Sequence, residues 1–149
     1  MDASPDLPPR SRVPIFNLPG VVTASIAVLV AIHAVRQVLP DLWDVQALID
    51  LSFIPARWTV AFNPSKAQAI VQAAAEGLSD QASAAARQDF ARALISESSP
   101  MPWTFASYGL LHGSWMHVIL NVVWLAAFGT PVARRYGAWR YGVLALAGI

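Results

Sequence analysis

Apolar positions concentrate in three long runs, with most charged positions between and around them. The first run extends from about Val21 to Leu39, entered through Pro19–Gly20 and stopped by Pro40. Its centre, VVTASIAVLVAI, carries no charge. About 20 apolar residues are needed to cross a bilayer, and this run just reaches that length. The second run begins at Ser114 or Trp115 and reaches Phe128, where Gly129 and Pro131 predict its end. The third, YGVLALAGI, follows Arg140. Between the first two lies a long polar loop, residues 41–113. Within it Ser65–Ile95 repeats apolar residues at helical spacing, as in Ile70, Val71 and Ala74. This stretch predicts a water-facing amphipathic helix broken near Gly77. Ser98, Ser99 and Pro100 punctuate the chain after it. The pattern predicts helices over 20–39, 65–95 and 114–129 and another starting near 138, and no strands: an all-α, polytopic membrane protein.

Composition strengthens the membrane reading. Of 149 residues, 56% are apolar and only 13% charged. Soluble domains carry about 25% charge. Net charge is +1, too small to attract nucleic acid. Cysteine is absent, which excludes disulfides, thiolate metal sites and a cysteine nucleophile. Residues 1–17, rich in Pro and charge, read as a flexible tail ahead of a membrane domain at 18–149. The first apolar run is longer than a signal-peptide core and lacks a small-residue cleavage site, so it reads as an uncleaved anchor.

Charge also predicts orientation. Residues 41–100 hold seven acidic and four basic side chains, a balance of −3, whereas Arg10 and Arg12 precede the first run and Arg134, Arg135 and Arg140 follow the second. Basic flanks stay in the cytoplasm, which puts the N-terminus inside and the long loop outside, in a bacterial inner membrane. The third run is an unfinished membrane helix, whose last carbonyls would face lipid at a cost of several kcal/mol each. The chain therefore reads as the N-terminal part of a longer protein.

The polar atoms of the second run are the candidate chemistry. His117 and Asn121 are four residues apart and share a helix face, and His112 lies five residues before His117. Polar side chains in a membrane helix face a bundle interior or a wet cavity. An imidazole N–H beside an amide N–H suits a developing oxyanion. The same pair also serves as hydrogen-bonding glue between helices, the commoner use. A zinc site is the weakest alternative, since catalytic zinc recruits three protein ligands and no carboxylate lies in or beside this segment. Ser114 and Ser107 have no nucleophile-like surroundings, and Ser114 suits a helix entry. His33 reads as a packing or interface residue near the end of the first run, beside Arg36.

The run His112-Gly-Ser-Trp-Met-His117-Val-Ile-Leu-Asn121 resembles the HxxxxHxxxN signature of the rhomboid intramembrane serine proteases. Trp103–Thr104 is similar to the start of that family's membrane-dipping loop, where Trp-Arg is common. Gly129 through Gly137 is similar to its glycine-bounded turn, with Ala133 where glutamate is common. The resemblance covers residues 102–142, is consistent in topology from about Leu18, and leaves 65–95 as an enlargement of the outer loop. It implies a rhomboid-like helical bundle cut short after the start of its third spanning helix. It further implies oxyanion stabilisation by His117 and Asn121, with His112 supporting the active-site loop. The family's nucleophile, a serine in GxSG, and its histidine base lie on later helices, and neither is in this sequence. The implied activity of the full-length protein is cleavage of transmembrane protein substrates within the lipid bilayer, with no cofactor, no metal and no nucleic acid. This chain alone is expected to be inactive. The alternatives are a non-catalytic rhomboid-like protein that binds membrane clients, and an unrelated multi-span structural or transport protein.

Overall fold

The computed structural model describes residues 17–96 and 99–148. The predicted tail lies outside them except for Asn17, which precedes the first helix. All regular structure among the described residues is helical. Helix α1 (Gly20–Val38) follows Pro19 and ends before Pro40, as its apolar run predicts. Two helices follow that apolar spacing alone did not predict, α2 (Asp41–Leu51) and α3 (Pro55–Phe62). Both have a local cause. Asp41 and Asp44 sit in the first turn of α2, where the helix dipole favours carboxylates, and Pro55 opens α3.

The Ala-rich stretch forms a helical hairpin. A 3₁₀ turn (Pro64–Lys66) leads into α4 (Ala67–Ala73), and α5 (Gln81–Ser96) returns. The break falls at Gly77, whose φ of 80° belongs to the left-handed region that glycine occupies freely. Asp80 opens α5 by accepting the Ser83 N–H at 2.7 Å. The hairpin is not merely wetted on both sides. Val71, Ala91 and Ile95 bury one face against Val60 of α3.

Arg57 fastens this hairpin to the rest of the chain. It is only 4% exposed. Its Nε donates to the Leu94 carbonyl at 2.7 Å, and Nη1 to the Ile49 carbonyl at 2.8 Å and to Met101 Sδ at 3.1 Å. Both carbonyls belong to last turns of helices, α5 and α2, where peptide dipoles present partial negative charge. The guanidinium thus meets acceptors without a carboxylate.

A one-turn helix α6 (Thr104–Ser107) then leads to the second group, the apolar one. Helix α7 (Trp115–Trp124) continues without a stop through a π turn (Leu125–Gly129) into α8 (Thr130–Ala147). Gly129 and Pro131 therefore do not end the second apolar run, contrary to the sequence expectation. The wide π turn makes room for a proline ring next to it, and the Thr130 hydroxyl donates to the Ala126 carbonyl at 2.6 Å. The chain changes direction later, at Gly137, with φ 80° and ψ 167°. That backbone region is essentially reserved for glycine. Helix α1 packs on both α7 and α8, with Val22, Ala133 and Tyr141 at the centre of its contact with α8. Ala133 is buried among hydrocarbon, so a small apolar residue suits this turn. Gly129 is pressed by the Tyr141 ring, which would lie 3.2 Å from an added Cβ.

Among the described residues two stretches are long and apolar enough to cross a membrane, Gly20–Val38 and Trp115–Ala147. Val28, Val35, Ile119, Leu120, Val123 and Phe128 stay exposed along them. Water would not tolerate so continuous an apolar surface, whereas lipid or further helices would cover it.

Candidate active site

The site is assembled at the entrance of α7. Ser114 is its N-cap, with extended backbone and a hydroxyl oxygen that accepts the His117 N–H at 3.3 Å. That is the helix-entry role its sequence context predicts. Ser107 is occupied elsewhere, its hydroxyl donating to the Leu51 carbonyl at 2.7 Å.

His112 is 4% exposed and lies just ahead of this entrance. Its Nδ1 sits 3.2 Å from the Leu110 carbonyl, and its Nε2 2.8 Å from the Asn121 amide nitrogen. A carbonyl oxygen can only accept, so the proton resides on Nδ1 and Nε2 accepts one amide hydrogen from Asn121. The amide's second hydrogen stays available. The His117 ring meets His112 edge-on, with centroids 4.9 Å apart. Both residues of the i, i+4 pair therefore touch the same imidazole, which places them on one face as their spacing requires. Asn121 is half-buried, and His117 is exposed among the described residues. Asn121 and His112 also line a cavity of about 300 Å³, with Ser25, Leu29, Leu110 and Tyr141 among its other walls.

The loop before the site is held by polar and aromatic contacts, within itself and with α2 and α3. Thr104 is buried and donates its hydroxyl to the Met101 carbonyl at 2.6 Å. Trp103 Nε1 donates to the Asp50 carbonyl at 3.0 Å. Phe105 packs on Phe53 and Trp58, each at 4.8 Å between centroids. The buried guanidinium near this loop comes from Arg57, a residue outside the stretch that resembles the family. His33 is a packing residue: it is 1% exposed, edge-on to Trp115 at 4.6 Å, and its ring nitrogens have no partner among the described residues. No three His, Asp or Glu side chains gather as metal ligands among the described residues.

Residues 99–149 match the family model described as Rhomboid domain. The matched stretch contains the whole of the His112–His117–Asn121 cluster, the π turn and the Gly137 bend. It begins after α5, so the Arg57-fastened hairpin precedes it. Comparison with curated proteins and with solved structures gives no match. Over residues 99–149 the chain is similar to the rhomboid family, and its all-helical fold with apolar stretches at Gly20–Val38 and Trp115–Ala147 is that of a helical membrane protein.

One site residue was not legible as such in the sequence. Arg36, in the last turn of α1, donates through Nε and Nη2 to the Asp44 carboxylate at 2.7 and 3.0 Å, and through Nη1 to the His112 carbonyl at 3.0 Å. From the sequence it is placed only beside His33, near the end of the first apolar run. No local pattern links it to a carbonyl 76 residues away.

Proposed function

We propose that the full-length protein is an intramembrane serine endopeptidase that cleaves transmembrane segments of other membrane proteins. The observation that carries this reading is the gathering of His112, His117 and Asn121 at one helix entrance inside the rhomboid segment. In the proposed reaction His117 and the second Asn121 amide hydrogen donate to the oxyanion that forms when a serine attacks a peptide carbonyl. Held donors cost no reorganisation as that charge develops, which makes them stronger for the transition state than for the substrate. His112 has a supporting role, because it fixes the Asn121 amide. The nucleophile and base belong to later helices of the family pattern, and neither Ser114 nor Ser107 takes their place. The proposed setting is a bacterial inner membrane with the N-terminus in the cytoplasm.

The non-catalytic alternative, a rhomboid-like binder of membrane clients, draws on the 2.8 Å contact between Asn121 and His112, which alone would make Asn121 structural. Turnover separates the two. In full-length protein reconstituted with a transmembrane substrate, Asn121→Ala should lower kcat by roughly 10²–10³ with a smaller effect on KM, as loss of one oxyanion donor does elsewhere. If Asn121→Ala and His117→Ala together leave the rate unchanged in folded protein, the pair is glue and the oxyanion role is wrong.

A further inference from the structure

We infer that Arg36, held by Asp44, is a positioning residue for the oxyanion-stabilising cluster, acting through the backbone of His112. The inference rests on the protease reading for its effect on turnover, and on geometry alone for its effect on His112.

His112 is held at two ends. Its ring is fixed by the Leu110 carbonyl and the Asn121 amide. Its backbone carbonyl is fixed by Arg36 Nη1. The residues that follow, Gly113 and Ser114, lead directly into α7. A shift at the His112 carbonyl therefore moves both the ring that orients Asn121 and the entrance that carries His117. Arg36 can act as a fixed point because it is itself clamped. Asp44 accepts two parallel N–H bonds, the planar geometry that only a guanidinium offers. The side chains are 11% and 27% exposed, so the pair is shielded from the solvent that loosens surface ion pairs. Pro40 and the α2 start set the distance between the two residues, which makes the beginning of α2 part of the same clamp.

The contact borders a cleft of about 530 Å³ whose walls include Arg36, Ser52, Tyr108 and His112. Water can enter there and satisfy the His112 carbonyl when the guanidinium is removed. Loss of Arg36 should thus loosen the cluster without unfolding the chain.

The test uses full-length protein in bilayers, ¹⁵N-labelled at histidine, with Arg36→Gln, Arg36→Lys and Asp44→Asn. Comparison with His112→Phe assigns the His112 ring signals in the full-length protein. In the parent the His112 nitrogens should show one fixed tautomer, protonated at Nδ1. In Arg36→Gln and Asp44→Asn they should move toward the averaged values of an exchanging ring, and kcat should fall on the order of 10-fold with KM within about twofold, as small misplacements of catalytic groups do. Arg36→Lys, with one charge centre in place of a fork, should fall between them and the parent. Unchanged His112 shifts in Arg36→Gln overturn the inference whatever the activity. Altered shifts with unchanged kcat, in a protein that Asn121→Ala impairs, overturn it as well. If Asn121→Ala is itself without effect, the oxyanion reading fails, and the ring shifts still decide whether Arg36 positions His112.

Discussion

Arg57 shows how a single side chain joins parts of the protein that sequence leaves unrelated. It reaches two helix ends and a methionine, none closer than eight residues along the chain. Arg57→Met should keep most of the buried volume and strand the Ile49 and Leu94 carbonyls. Each stranded buried acceptor costs about 1–3 kcal/mol. Denaturation in detergent micelles should show a loss of that order, and amide exchange should rise first in the second half of α5. Unchanged stability would mean that water replaces the guanidinium at both carbonyls. The residues of the candidate site divide along the same line. His117, Asn121 and the N-cap Ser114 were legible in the sequence because helical geometry converts spacings of three and four residues into neighbours, and His112 through its place in the HxxxxHxxxN pattern. Arg36 and Arg57 were not, because the atoms through which they act on distant segments, the carbonyls of His112, Leu94 and Ile49, are backbone atoms, which every residue possesses and no pattern advertises.

At the scale of elements, local chemistry explains starts and turns better than apolar spacing does. Asp80 caps α5, and its carboxyl is held below the usual value of 3.8 by hydrogen bonds from the Ser83 side chain and from the backbone of Ser83 and Ala82. A lowered folded-state value means that the unfolded chain binds the proton more tightly, so the cap stabilises α5 above the unfolded value. That contribution fades as pH falls from about 3.8 through the lower folded value. Amide exchange at Ser83 and Ala84 should accordingly accelerate on acidification in the parent, and should be fast and nearly free of this pH step in Asp80→Ala, once intrinsic exchange is corrected for. An equal step in the variant would assign the effect to another group. The helices α2 and α3 belong to the same lesson: Pro40 with Asp41 and Asp44, and Pro55, mark their starts, while their apolar positions alternate too irregularly to announce them. The π turn is the opposite case. A glycine and a proline two residues apart read as a stop, yet a widened turn carries the helix past them to Gly137.

For the whole molecule, the separation of charge is the main determinant of its proposed place in the membrane. The hairpin α4–α5 lies in a loop of balance −3, whereas Arg134, Arg135 and Arg140 surround the Gly137 bend. Residues 1–149 contain no cysteine, so in full-length protein cleared of any later cysteine each introduced thiol reports alone. Ala74→Cys in full-length protein should react with an impermeant thiol reagent on intact cells, and Ala138→Cys should react only after the membrane is opened. Labelling at 138 and protection at 74 would invert the proposed topology. Legible in the sequence alone were the all-α class, the apolar helix α1, the start of α7, the break at Gly77 and the shared face of His117 and Asn121. These follow from hydrophobic length, glycine backbone freedom and helical period, which act within one or two turns of chain. Only the tertiary structure decided that the Ala-rich hairpin buries a face on α3, that Arg57 fastens it, and that Arg36 and Asp44 hold the carbonyl of His112. Those contacts join backbone and side-chain atoms across long loops, and their energy depends on exclusion of water that no single segment achieves alone.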